Sequence, residues 1–397
     1  MKTIKDYNFQ GKRAVIRVDF NVPQNEKLEV TDNTRIQAAK PSIDKILNDG
    51  GSVVILTHLG RPKGQANEQF SLKHILPEVS KVLGREVKFC PVTVGEEAEK
   101  MTAELKAGEV LLMENVRFYE GEEKGDKTFA EALSKLGDAY VNDAFGTAHR
   151  AHASTAVIAE FFPSTKFFGL LMEKELEAID KVLGSGERPV TAILGGSKVS
   201  TKITIIENVL PAVDNLIIGG GMAFTFIKAQ GGQTGNSLVE EDKMSLALEI
   251  LQKAEQQNVK VYLPVDVTAA DSFSNEAETQ EVDSNEIPEG WMGLDVGART
   301  RALNNDVIMN SRTILWNGPL GVFEMSNFSA GTEALGDSIA EATRQGAFSL
   351  VGGGDSVAFV KQFNYSDKVS YVSTGGGAML ESLEGLELPG VAAINKQ

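Results

Sequence analysis

Short runs of consecutive apolar residues recur along the chain, each closed by glycine or polar residues. They occupy residues 13–18, 52–57, 110–113 and 139–141 in the first half. In the second half they occupy 189–194, 216–218, 259–264, 313–316, 347–351 and 369–372. Such runs are short and apolar on successive positions, so they read as strands covered on both faces. Between them, apolar positions at helical spacing predict helices over 34–47, 72–83, 96–105 and 129–136. Strands alternating with helices predict an α/β protein with parallel sheets and helices on both faces. A polar helix over 171–183, entered at Phe168-Gly169 and left at Gly184-Ser185-Gly186, reads as the join between two such halves. Residues 271–288 read as a surface β-ribbon and loop, and residues 388–394 as a docking segment.

The bulk numbers narrow this picture. A chain of 397 residues, 42% hydrophobic, is long for one core, and two domains are expected. The formal net charge of −16 argues against a nucleic-acid or acidic-membrane partner, whose mark is a basic face. It leaves room for a small anionic ligand held by a few local arginines. The single cysteine, Cys90, excludes an internal disulfide or a multi-cysteine metal site and suits packing. No apolar run reaches a membrane-spanning length and the amino terminus lacks an apolar leader, so a cytoplasmic protein is expected.

The chemistry gathers where strands end. Gly352-Gly353-Gly354-Asp355-Ser356 and Gly375-Gly376-Gly377 each follow an apolar run and precede a helix. Glycines let backbone N–H groups approach a ligand, and a helix start adds unpaired donors, so phosphate is the natural guest. Asp355 could cap the helix or hold Mg²⁺. One such turn is commonly structural; two at strand carboxyl ends, within ~25 residues, point to a ligand edge. In the first half, Arg61, Arg117 and Arg150 each follow a different strand, with His58 and His149 beside them. Their loops should converge on one edge as a basic pocket, since arginine clamps phosphate and carboxylate in bidentate fashion. Arg35 lies in the first turn of the 34–47 helix, the wrong end of the dipole for a cation, which marks it as a functional candidate or a solvated surface arginine. Asp19 and Asn21 close the first strand, as an Asx-type turn or as ligands. His149 and His152 stand three apart, without the cysteine or acidic partners that would complete a metal set. After Gly195-Gly196, Lys198 and Lys202 are expected on one face of a helix start, where an anion would satisfy both. An anionic small substrate on the first half and a nucleotide on the second is the natural division. Neither G-x-x-x-x-G-K-[ST] nor G-x-G-x-x-G is present.

Seven motifs carry a resemblance. They are Val18-Asp19-Phe20-Asn21-Val22-Pro23, His58-Leu59-Gly60-Arg61-Pro62, Glu114-Asn115-Val116-Arg117-Phe118, 142–150, Gly195-Gly196-Ser197-Lys198-Val199, Trp316-Asn317-Gly318-Pro319 and Gly352-Gly353-Gly354-Asp355-Ser356. In this order, and across essentially the whole chain, they resemble the phosphoglycerate kinase family. The resemblance implies two doubly wound, Rossmann-like domains facing across a cleft and joined by an interdomain helix. Residues 1–170, with about 384–397 packing back, would bind phosphoglycerate; 171–383 would bind the nucleotide. It implies reversible, Mg²⁺-dependent transfer from 1,3-bisphosphoglycerate to ADP, giving 3-phosphoglycerate and ATP after hinge closure, by a monomer. Asp19, Asn21, Arg35, His58, Arg61, Arg117 and Arg150 would hold phosphoglycerate. Lys202, Gly293, Asn317, Glu324, Gly353, Gly354, Asp355 and Ser356 would hold the nucleotide, with Glu324 on the ribose and Asp355 on Mg²⁺. Arg35, Lys198 and the amides of Gly375 and Gly376 would flank the phosphoryl group in flight. Two positions depart from the family's usual pattern: Ala298 where proline is usual, and Thr57 where serine is common. A silent binding protein on the same fold, or a kinase of another acid, are the competing readings.

Overall fold

Arg13–Val18 (β1), Ser52–Leu56 (β2), Lys88–Cys90 (β3), Val110–Met113 (β4), Ala139–Asp143 (β5) and Lys166–Phe168 (β6) form one six-stranded sheet. The order is β3-β4-β2-β1-β5-β6, and every pair is parallel. The structure is a computed structural model that describes residues 1–396. β2, β4 and β5 are buried along their whole length, which is why they read as unbroken apolar runs.

The second half repeats the plan. Its strands are Val190–Leu194 (β7), Asn215–Ile218 (β8), Gln233–Thr234 (β9), Lys260–Tyr262 (β10), Asp266–Ala270 (β11), Thr279–Asp283 (β12), Glu286–Ile287 (β13), Met292–Val296 (β14), Thr313–Asn317 (β15), Phe348–Val351 (β16) and Tyr371–Val372 (β17). Six of them form a parallel sheet in the order β10-β8-β7-β15-β16-β17; β12-β11-β14 make a small antiparallel sheet. In both large sheets the chain builds outward on one side and then returns to the other side of its first strand. That reversal falls between β1 and β5, and between β7 and β15. The carboxyl ends of strands at such a point are where open α/β sheets bind ligands.

The chain divides into two units, Met1–Leu176 with the segment from Glu387 onward, and Glu177–Leu386. The division falls inside the helix Leu170–Asp180, which runs on into a π turn over Lys181–Ser185. The start of this helix is fixed from β5. Asp143 Oδ1 accepts from the N–H groups of Leu171 (3.0 Å) and Met172 (3.1 Å), and Ser42 Oγ accepts from Leu170 (2.8 Å). Gly169 is required here, because a Cβ would overlap the Asp143 carboxyl. Burial pushes the Asp143 pKa up to about 7, against the pull of Ser42 and the two amides. The helix Pro389–Asn395 packs on the first unit: Gly390 donates to the Ala148 carbonyl (2.8 Å), and Lys166 Nζ to that of Ala393 (2.9 Å). Among the described residues no helix is long and apolar enough to cross a membrane.

Two expectations need correction. The 72–83 segment is a 3-10 turn, Leu72–His74, followed by a helix over Leu76–Leu83. Pro77 lacks the N–H that one continuous helix would need, and it sits instead in the first turn, where none is missed. Lys198 and Lys202 do not share a helix face. Lys198 is extended (φ −134°, ψ 133°), a 3-10 turn covers Val199–Thr201, and the helix Ile203–Val209 starts only after Lys202.

Candidate active site

In the first unit, loops at the carboxyl ends of β1, β2, β4 and β5 bring cations together. Arg35 Nη1 donates to Asp19 Oδ2 (2.9 Å) and to the Asn21 carbonyl (3.2 Å). Asn21 Oδ1 accepts from the Gly60 N–H (2.9 Å), and the Gly60 carbonyl accepts from Arg117 Nη1 (3.0 Å). These bonds tie three separate loops into one wall. His58 is buried beneath it, 3.9 Å from Asp19 Oδ1. Arg150 donates from Nε to His149 Nε2 (3.4 Å). Arg61 is exposed on its loop.

The electrostatics record how close these charges are. Burial, and then Arg17, Arg150 and other neighbours, bring Arg117 down to about 10 despite the opposing carboxylates of Glu123 and Glu122. His152 is brought down to about 4 by burial and by Arg117, Arg17 and Arg150. His58 is held well below the usual imidazole range by burial, then by Arg17, Arg117, Arg35 and His152. A cluster that disfavours its own positive charge is suited to a polyanion. Arg117 Nε is also buried with no hydrogen-bond partner among the described residues; Glu123 stands 3.7 Å off.

Arg17, Glu122 and Ser154 also belong to this cluster, as does His152, which the sequence offers only as an incomplete metal ligand. Arg17 is wholly buried inside β1. An arginine within a strand covered on both faces is itself a signal, since fully buried arginine is rare without partners.

In the second unit the glycine turns meet. A Cβ on Gly376 would lie 4.0 Å from the Gly354 nitrogen, and Gly352 is packed against Met379 from the second turn's helix. Gly353 (φ +93°) leads into the helix Gly354–Gln362, with Asp355 exposed in its first turn. Ser356 Oγ accepts from the Gly318 N–H (2.6 Å), and Asn317 Nδ2 donates to the Gly352 carbonyl (2.8 Å). Lys202 Nζ donates to Asn317 Oδ1. Burial lowers the Lys202 pKa, with Asp355 and Glu384 opposing. Gly375 is buried and Gly376 opens the helix Gly376–Leu383; Lys198 is exposed.

Beside these turns is a cleft of about 450 Å³ lined by Gly220, Phe224, Gly293, Leu294, Leu320, Val322, Glu324 and Asp355, among others. Gly293, Glu324 and Asp355, far apart in sequence, therefore share one cavity. Gly293 is needed because a Cβ would strike the Phe224 ring. Asp295, on the same cleft, accepts from the Gly331 N–H (2.8 Å) and so fixes the start of the helix Ala330–Arg344; burial raises its pKa to about 7. The apolar walls, Phe224, Leu320 and Val322, carried no sequence signal, since only folding places them together. An apolar cleft ending at glycine-lined helix starts suits a base and ribose leading to phosphates.

Among the described residues no group of three or more His, Cys, Asp or Glu could hold a metal by itself. A single carboxylate, Asp355, beside a phosphate-binding turn fits Mg²⁺ arriving with nucleotide phosphates, which supply most of its ligands.

Two doubly wound units, one with a cationic pocket and one with a nucleotide-type cleft, define a phosphotransferase. A sequence model of phosphoglycerate kinase matches residues 4–386. The chain is 55% identical to a phosphoglycerate kinase of Porphyromonas gingivalis over 99% of both chains. Its fold matches the phosphoglycerate kinase structure from Coxiella burnetii (TM-score 0.91, 40% identity, 99% of this chain and 98% of that one). It also matches the one from Pyrococcus horikoshii (TM-score 0.80, 33% identity, 99% and 98%). The chain belongs to the phosphoglycerate kinase family.

Proposed function

We propose that the chain transfers the acyl phosphate of 1,3-bisphosphoglycerate to Mg·ADP, reversibly, giving 3-phosphoglycerate and ATP. Family membership supports the reaction. The observation that carries the substrate side is the buried Arg117 guanidinium, whose Nε, among the described residues, makes no hydrogen bond and has only Glu123, 3.7 Å away, as an ionic neighbour, in a pocket of arginines and histidines. Burying an unpaired donor costs about 1–3 kcal/mol, and an anionic oxygen would recover it. The pocket of Asp19, Asn21, Arg35, His58, Arg61, Arg117 and Arg150 is the proposed phosphoglycerate site on residues 1–170 and 384–397. Lys202, Gly293, Asn317, Glu324 and the Gly353–Ser356 turn are the proposed nucleotide site on residues 171–383.

Transfer needs in-line positioning and neutralised charge on the equatorial oxygens, and no covalent nucleophile from the protein. Asp355 would hold the Mg²⁺ that comes with the nucleotide and neutralises its phosphates. Arg35 and Lys198 supply mobile cations, and the Gly375 and Gly376 amides fixed donors, for the transferring group. Because acyl phosphates hydrolyse readily, hinge closure that excludes water is part of this proposal. So are a cytoplasmic location and a monomeric state. The buried free Cys90 suits a reducing compartment. Exposed large apolar side chains are few, and two of them, Leu238 and Phe273, line the nucleotide cleft.

The test is steady-state turnover of 3-phosphoglycerate with ATP and Mg²⁺, with Lys198→Ala as control and acetate as an alternative acceptor. Turnover lost in the control and negligible with acetate is expected. Ligand binding without turnover would favour a silent binding protein; comparable rates with acetate would overturn the substrate.

A further inference from the structure

A fully buried glutamate lies behind the cationic pocket. Glu122 accepts twice from one residue: Ser154 donates its hydroxyl proton to Oε1 (2.5 Å) and its backbone N–H to Oε2 (2.9 Å). Ser154 has only one hydroxyl proton. With that proton on Glu122, Ser154 Oγ can only accept toward its other neighbour, the Nε–H of Arg17 (2.8 Å). Arg17 is itself wholly buried and has donors only. Its Nη1 donates to the Val18 carbonyl, and its Nη2 lies 3.2 Å from His58 Nδ1. His58 Nδ1 must therefore be an acceptor, and the ring proton must sit on Nε2. A competing arrangement is close at hand. Asp19 Oδ1 is 3.9 Å from the same Nδ1 and would accept a proton from it. Arg17 stands nearer and denies that tautomer, provided its fork stays where Ser154 and Glu122 hold it.

We propose that Glu122 is a positioning residue which, through Ser154 and Arg17, locks His58 as the neutral Nε2–H tautomer, so that His58 meets the anionic substrate as a fixed hydrogen-bond donor. The role in substrate binding rests on the phosphoglycerate reading of this pocket; the lock itself does not. Each link is a bond between buried groups, where a reversed or missing donor is costly. Burial pushes the Glu122 pKa up, while Arg17, the Ser154 bonds and Arg117 pull the other way. With both carboxyl oxygens accepting, the ionised form completes the chain of bonds and balances the Arg17 charge. A neutral donor that cannot rotate its proton away is pre-organised for a phosphate or carboxylate oxygen.

The chain has 4 histidines, so its imidazole nitrogens can be resolved by ¹⁵N spectra of the full-length protein without ligand. The expected result is a His58 signal with an unprotonated Nδ1 and a protonated Nε2 throughout the neutral range. A protonated Nδ1 in the unaltered protein overturns the proposal without any variant. In Ser154→Ala and Glu122→Gln, the His58 signal should move toward the other tautomer or average between the two, and Ser154→Thr, which keeps the hydroxyl, should restore it. The KM for 3-phosphoglycerate should rise about tenfold, more than kcat falls, as expected for loss of one charge-assisted hydrogen bond. Folded variants that keep the original His58 signal overturn the relay. If the tautomer is as stated but 3-phosphoglycerate leaves the Nε2 signal unmoved, the relay stands and the phosphoglycerate reading of the pocket falls.

Discussion

Lys202 and Asn317 are joined head to head: the lysine Nζ donates to Asn317 Oδ1, while the Nδ2 of the same amide donates to the Gly352 carbonyl at 2.8 Å. A half-buried cation is thus pinned by a neutral group to the end of β15 and to the first glycine turn. Asn317→Ala removes both bonds, freeing the lysine and loosening the turn. The expected outcome is a rise in nucleotide KM of about tenfold or more, as one buried and one part-buried bond, worth roughly 1 kcal/mol each, are lost. The KM for 3-phosphoglycerate should change little. Equal effects on both substrates would show that Asn317 serves the fold rather than the nucleotide site.

Gly353 has φ +93°, and a Cβ there would overlap Asn317 Nδ2. Gly353→Ala therefore combines backbone strain of about 1–3 kcal/mol with displacement of the amide that holds Lys202. Calorimetry should show weakened ADP binding in a folded variant. Undiminished affinity would mean that the turn does not contact phosphate.

Arg35 and Arg117 should separate in kinetics. Arg35 is half-exposed and held by Asp19, free to change partners as charge develops, whereas Arg117 is buried and fixed on Gly60. Arg35→Ala is expected to lower kcat by about 10²–10³-fold or more, as for loss of a transition-state donor. Arg117→Ala should mainly raise the KM for 3-phosphoglycerate. An Arg35 variant with near-normal kcat, or an Arg117 variant with unchanged KM, removes that residue from its assigned role.

Asp143 makes stability pH-dependent in an unusual direction. Its folded pKa, about 7, lies above its ordinary 3.8, so between those values the native state holds a proton that the unfolded chain has lost. The contribution is fully present below about 3.8, falls as pH rises from there to about 7, and is level above. Asp143→Asn keeps the oxygen that accepts from Leu171 and Met172 and removes the charge. Urea midpoints at a series of pH values should show the variant gaining on the parent as pH rises from 5 to 7, by on the order of 2–3 kcal/mol, with no further gain above. A constant difference would mean that the carboxylate is better solvated than its burial suggests.

The strands of both large sheets were largely legible because burial on two faces leaves an unbroken apolar run. The site loops were legible because Gly352–Gly354 and Arg61, Arg117 and Arg150 recur at equivalent strand ends. What could not be read depends on packing. Arg17 looks like one polar position in a strand until its side chain is seen beside His58. Phe224 and Val322 are ordinary apolar residues until the helix Ala223–Ala229 and the loop after β15 bring them to one cleft. The lysine pair was misplaced for a local reason: four-residue spacing implies one face only if the helix has begun, and here a 3-10 turn intervenes.

The helix Pro389–Asn395 belongs to the first unit although the whole second unit lies before it in sequence. Its Gly390 N–H holds the Ala148 carbonyl, next to His149 and Arg150. During synthesis, the pocket that emerges first must wait for a helix made after the whole intervening unit, which can finish folding in the meantime. Completion of the anion site is thereby tied to the arrival of residues 389–395, and a chain cut before them would keep its sheets yet lose the grip on its Arg150 loop.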